Sequence, residues 1–294
     1  MTGLYEIDAH LTGLWLLGGL AAFGLVIGIL SGLFGVGGGF MVVPLLKLVF
    51  GIDYPLAVGS SLSFTIGTGA AGMLRHMRLG NVEFKTTLLL GSATVFGAIF
   101  GANLLEFLKD SLGGTDERHF TLLMHGLFVL VLLVTAWMVL RNPGETTQRP
   151  LLARLPLPPY VDLPSANLTH ISLLGLFVLG LGIGVFKGLL GIGGGVLFVP
   201  ALMVVVGLQV RQAIGTSLGV VLFGSIAGTI KYAQRGNVNL WIVMSLLVGS
   251  VVGVQIGVWA CQKLHARGLR RWFVLLVLLV AAVLAADFVR KAWG

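Results

Sequence analysis

The chain has 294 residues, 56% of them apolar and only 10% charged, and its mean hydropathy is +1.00. A composition that apolar excludes a water-soluble domain of this length and marks an integral membrane protein, for which the lipid bilayer is the first partner. The net charge of +8 does not point to nucleic acid, because the basic residues are scattered over short loops, where they set membrane orientation; the single cysteine, Cys261, excludes an intrachain disulfide and a thiolate metal site.

Residues 1–10 carry Glu6 and Asp8 but no Lys or Arg, and the apolar stretch after them is too long for an h-region, so no secretory signal is expected there. Five apolar segments then follow at 11–35, 39–51, 56–74, 84–108 and 121–140. A spanning helix needs about 20 residues to cross a hydrocarbon core about 30 Å thick. The second segment is too short, covering about 20 Å at roughly 1.5 Å per residue. The Gly-rich turn before it is therefore expected inside the membrane plane, at the tip of a helical hairpin, where protein or a water-filled cavity must surround its backbone. The stretch 141–168, with Pro143, Pro150, Pro156, Pro158, Pro159 and Pro164 among Arg141, Arg149 and Arg154, reads as a Pro-rich cytoplasmic linker that needs no fold of its own. Five further segments follow at 169–190, 195–207, 211–230, 239–262 and 271–289, the second again too short to span.

The two halves, 11–140 and 169–290, are repeats. Ser31-Gly-Leu-Phe-Gly-Val-Gly-Gly-Gly-Phe-Met-Val-Val-Pro lies 156 residues before Lys187-Gly-Leu-Leu-Gly-Ile-Gly-Gly-Gly-Val-Leu-Phe-Val-Pro. At the same offset, Gly59-Ser60-Ser61 lies over Gly215-Thr216-Ser217, and Gly80-Asn81-Val82 over Gly236-Asn237-Val238. The expected fold is an all-α polytopic membrane protein of two repeats, each a Gly-broken hairpin plus three spanning helices. A hairpin returns to the face it left, so each half makes an odd number of crossings and the repeats are inverted. Placing about eleven basic residues on one face against six makes the first face cytoplasmic and puts both termini outside. A parallel arrangement of four-span repeats, at about ten against seven, stays open. Glycines spaced four apart, such as Gly97/Gly101, Gly224/Gly228 and Gly249/Gly253/Gly257, suit close helix packing.

Candidate binding groups cluster at the breaks. Gly37, Gly38 and Gly39, with Gly193, Gly194 and Gly195, end one helix and open another. The new helix starts with unpaired amides and a partial positive charge, so two such starts meeting at the midplane would hold a small anionic substrate. Packing of a tight hairpin is the alternative reading. Lys187, whose repeat partner is Ser31, either pairs with that anion or snorkels to the interface. The hydroxyls of Ser60, Ser61, Thr216 and Ser217 either donate to a ligand or bond within the helices. His125 is either a proton relay, which would couple transport to protons, or a structural histidine. No carboxylate lies at mid-span, Lys187-Gly188 has the wrong order for a phosphate-binding loop, and no catalytic set, metal site or cofactor is expected.

The doubled Gly-x-Gly-Gly-Gly with a proline five residues on (Pro44, Pro200), followed by Ala-x-Gly-Ser/Thr-Ser, resembles the sulfite exporter TauE/SafE family of bacterial membrane permeases, over both halves. The resemblance implies a secondary carrier in the bacterial inner membrane for small sulfur-containing anions, sulfite or organosulfonates, with export the usual direction. On it, the motif positions are Gly35, Gly37, Gly38, Gly39 and Pro44, then Gly191, Gly193, Gly194, Gly195 and Pro200. An anion channel, or a carrier for another small oxyanion or carboxylate, is the alternative.

Overall fold

The computed structural model describes residues 14–112, 117–141, 151–154, 157–163, 166 and 168–293. The first half comprises α1 (Leu14–Phe34), α2 (Gly39–Leu48), α3 (Tyr54–Arg78), α4 (Phe84–Leu112) and α5 (Glu117–Arg141). The second comprises α7 (Leu173–Leu190), α8 (Gly195–Ala201), α9 (Val210–Ala233), α10 (Leu240–Lys263) and α11 (Ala266–Trp293). Among the described residues six helices, α4, α5, α7, α9, α10 and α11, are long and apolar enough to cross a membrane. Their outward faces carry Phe96, Phe100, Leu130, Val248, Val252 and Leu275 exposed, as an all-α polytopic protein requires of surfaces that meet lipid.

The short segments are helices, but brief ones. α2 has 10 residues, about 15 Å. It opens after Gly38, which sits at φ +81°, and contains Pro44. α8 opens after Gly194 at φ +82°, contains Pro200, and passes into a π turn over Leu202–Val206. Left-handed φ at both entry points is open to glycine at little steric cost, which is why the chain can reverse there.

The halves interlock. Gly24, Gly28 and Gly32 of α1 press against the backbone of Leu246, Ser250 and Val254, so α1 and α10 run parallel in one tight seam. Gly180, Gly184 and Gly188 of α7 do the same against Leu90, Thr94 and Ala98, so α7 and α4 form its counterpart. Any side chain at these positions would collide with opposing backbone, the small-residue logic of membrane helix pairs. The first helix of each half is thus held by the fourth of the other. Equivalent helices of the two halves run in opposite directions: Gly72 of α3 lies beside Leu218 of α9, while Gly228 lies beside Leu62. For α5 and α11, Arg270 reaches the Val139 carbonyl while His125 faces Asp287.

Charge separates by end. Arg211 donates to the carbonyls of Gln262 and Leu264 at one end of the bundle, close to the Arg270–Val139 bond. At the other, Lys109 pairs with Asp53 and Arg235 with Glu106, at 3.1 and 2.7 Å.

The linker departs from expectation. Residues Leu151–Arg154 form one helical turn, α6, and β1 (Tyr160–Leu163) pairs antiparallel with β2 (Leu168–Ser172). Leu152, Leu163 and Ile171 are buried in one cluster with Leu202 and Val206 of the π turn. Apolar side chains dispersed among the prolines give this stretch something to bury, so it packs onto the second half and feeds α7 through the Ser172 cap, whose hydroxyl accepts from the Gly175 amide.

Candidate functional site

The two Gly breaks meet. Each passes within backbone contact of the other: a Cβ at Gly39 would lie 2.6 Å from the Gly193 amide nitrogen and 2.7 Å from the Gly191 carbonyl oxygen. Gly195 packs likewise on the Gly35 carbonyl and Val36. Residues 34–40 and 189–196 are buried throughout. Met41 and Val42 donate to the Gly38 carbonyl, and Leu197 and Phe198 to that of Gly194, so the amides of Gly39 and Phe40 and those of Gly195 and Val196 are the ones left over at the two helix starts, which adjoin in the interior.

Hydroxyls fasten the crossing. Ser61 donates to the Gly191 carbonyl at 2.9 Å and to that of Gly39 at 3.2 Å. Its repeat partner, Ser217, donates to the Gly35 carbonyl at 2.7 Å and to that of Ile214 at 2.8 Å. Each half's serine thus holds the other half's break. Ser60 and Thr216 stand elsewhere. Ser60 accepts from the Asn239 amide at the start of α10, and Thr216 from the Glu83 amide before α4. These two oxygens satisfy orphan donors at helix starts.

Lys187 does not reach an interface. It is fully buried, and its ammonium donates to the Val221 carbonyl of α9. Its stem runs past Gly194 and Gly224, where a Cβ would come within 3.2 Å of Lys187 Cδ in both cases. Val221 also touches Gly37 through its side chain, so Lys187, Val221, Gly194 and Gly37 link both breaks to one buried cation. The place of Lys187 in the first half is taken by Ser31, buried and with no hydrogen-bond partner for its hydroxyl.

His125 lies apart from the crossing. It is buried between α5 and α11, with Nδ1 3.6 Å from a carboxylate oxygen of Asp287 and its ring edge-on to Tyr54. Asp287 also pairs with Arg290. The sequence shows no carboxylate at mid-span, and it does not show that the antiparallel fifth helices bring Asp287 to His125.

His76 and Tyr232, which with Arg75 and Lys231 end matching spans and could on sequence grounds attract anions at the two mouths, are instead buried and bonded to main-chain carbonyls. His76 holds the Gly32 carbonyl at 3.3 Å through Nε2, and Tyr232 holds the Gly188 carbonyl at 2.7 Å. These pairs are repeat equivalents, and their matched spacing from the Gly-Asn-Val turns was the available signal. Ser225, buried on α9 without a hydrogen-bond partner, gave no signal because its repeat position is Gly69. Among the described residues no group of three His, Cys, Asp or Glu side chains could hold a metal ion.

Comparison with known proteins finds relatives that are membrane proteins. The profile of the family described as Sulfite exporter TauE/SafE matches residues 20–284. The chain is 28% identical over 234 residues to the probable membrane transporter protein YdhB of Bacillus subtilis (strain 168), covering 79% of this chain and 85% of that one. It is 26% identical over 268 residues to the probable membrane transporter protein MJ0441 of Methanocaldococcus jannaschii, covering 85% and 88%. A probable membrane transporter protein of Xylella fastidiosa (strain Temecula1) is 29% identical over 271 residues, 90% of each chain. No solved structure matches the chain.

Proposed function

The chain belongs to the sulfite exporter TauE/SafE family, and from that premise we propose that it is a secondary transporter moving small sulfur-containing anions, sulfite or organosulfonates, outward across the bacterial inner membrane. The substrate sits where the Gly breaks cross, held by first-turn amides of α2 and α8 and paired with Lys187. The observation that carries the reading is the joining of both breaks to one buried ammonium through Val221. A lone cation at that depth is costly unless an anion visits it.

The same geometry supports alternating access. Both breaks are buried from all sides, a state that suits a carrier between its two open forms. The antiparallel course of equivalent helices supports inverted repeats, with the Arg141–Arg154 and Arg211–Arg271 end cytoplasmic. Opposite halves rocking about the crossing would then expose it to either face. In this reading the Ser61 and Ser217 hydroxyls hold the crossing's shape, and His125 with Asp287 is the place for a coupling proton.

Flux of labelled sulfite and organosulfonates in proteoliposomes, with gradients imposed in each direction, tests the proposal. Saturable, gradient-driven movement with counterflow is expected. Conductance without saturation would replace carrier by channel, and no flux of any sulfur anion would refute the substrate class.

A further inference from the structure

We propose that the binding site takes one singly charged oxyanion head at a time, and that Ser225 is the residue that completes it beside Lys187. This deepens the transporter reading above and rests on it.

The argument starts from unmet donors. A lysine ammonium has three N–H donors. Among the described residues the fully buried Lys187 has one acceptor, the Val221 carbonyl, and no carboxylate pairs with it. The candidate acids are engaged elsewhere: Glu83 accepts from the Thr86 amide, Glu106 pairs with Arg235, and Asp287 with Arg290. With an anion beside it, the ammonium offers one positive charge and two N–H groups that have no other acceptor in the structure.

Ser225 follows the Val221 acceptor on α9. It lies one helical turn beyond Val221 on the same face of α9, and residues four apart on a helix are neighbours. Its hydroxyl is buried and has no partner. Gly224, immediately before it, leaves room for the lysine stem: a side chain there would meet Lys187 Cδ at 3.2 Å and Cε at 3.3 Å. The lysine and the unpaired Ser225 hydroxyl thus both belong to the Val221–Ser225 turn of α9, with the Lys187 stem against Gly194 of one break and the Val221 side chain against Gly37 of the other. The first half has no such lysine–serine pair, since Ser31 and Gly69 occupy the matching positions.

One cation sets the charge of the guest. A singly charged sulfonate, hydrogensulfite or carboxylate makes the interior neutral and accepts from both Lys187 and Ser225. A dianion leaves one charge uncompensated away from water, which is strongly unfavourable. On binding, the ammonium exchanges the Val221 carbonyl for an anionic oxygen, a stronger acceptor.

The test uses the purified full chain, titrated with methanesulfonate, acetate and sulfate while thermal stabilisation is read, and the same anions in proteoliposome counterflow. Methanesulfonate or acetate should bind saturably, and sulfate roughly tenfold or more weakly. The choice between the first two identifies the head group. Lys187→Gln should lose roughly tenfold or more in affinity, and Ser225→Ala severalfold, with unliganded melting at or above that of the unchanged chain. Sulfate bound as tightly as methanesulfonate, or unchanged affinity and charge preference in Lys187→Gln, overturns this inference while counterflow keeps the transporter reading alive. Absence of binding and counterflow with every anion sinks both.

Discussion

Substituting Gly39 by alanine tests the crossing of the breaks by its sign. Gly39 is the first residue of α2 and is not among the glycines at positive φ, so alanine suits its backbone. With free space around it, the change would stabilise the helix by about 0.5–1 kcal/mol. Space is what the structure denies. The new methyl would lie 2.6 Å from Gly193 N, 2.7 Å from Gly191 O and 2.8 Å from Gly193 Cα, all main-chain atoms of the opposite break. Relaxed contacts need about 3.5–4.0 Å, so one break must shift by about 1 Å. Overpacking of that kind costs about 1–3 kcal/mol. The shift also pulls at the Ser61 bond to Gly191, which adds to the loss. Gly51→Ala is the control: at φ +63° with nothing within 4 Å, it carries backbone strain alone, about 1–2 kcal/mol. Detergent-solubilised protein followed by thermal denaturation and size exclusion, with counterflow in parallel, reads both variants. Gly39→Ala should lower the melting midpoint and abolish transport, whereas Gly51→Ala should lower the midpoint and keep transport. A Gly39→Ala protein that melts higher and still transports would show that the breaks do not touch, and the site built on their contact would go with them.

Ser61→Ala and Ser217→Ala each leave buried carbonyls of the opposite break without their donor, so each should destabilise by about 1–3 kcal/mol in the same melting assay, and a neutral result for both would remove the hydroxyl fastening. Gly182→Ala on α7 meets nothing within 4 Å and should stabilise by about 0.5–1 kcal/mol, in contrast to Gly184→Ala, which strikes the Thr94 backbone and should impair the α4–α7 seam. His125→Gln removes the titratable partner of Asp287; a coupling role predicts that the pH dependence of transport flattens, and an unchanged pH profile assigns His125 to structure.

The segments and their breaks were legible because each is written in long local signals: apolar length, a run of glycines, and a proline five residues on. The repeat doubled every one of them. The seams were half legible. Gly97, Gly101, Gly249, Gly253 and Gly257 showed that helices approach closely, but partner choice is a long-range fact, and spacing could not say that α1 meets α10. Hydroxyl roles were the least legible. Ser60 and Ser61 are neighbours in sequence, yet a helix turns adjacent side chains about 100° apart. One therefore accepts from a helix start while the other donates to a break. Lys187 could be flagged by cost, but its acceptor, a main-chain carbonyl on α9, leaves no trace in residue identity. The strand pair of the linker was hidden by its prolines, which dominated a stretch whose leucines and isoleucine decide its packing.

The exchange of first helices between halves also sets an order of assembly. α4 precedes α7 in the chain, so α7 can dock as soon as it is inserted and close its seam at once. α1 is made first, but its seam partner α10 follows roughly 200 residues later, about 10–40 s at ordinary rates of translation. During that interval the glycine face of α1 is presented to lipid or to the insertion machinery. The nascent protein thus passes through a form with one seam shut and one open, and release of the carboxy-terminal helices completes the fold at its amino-terminal edge.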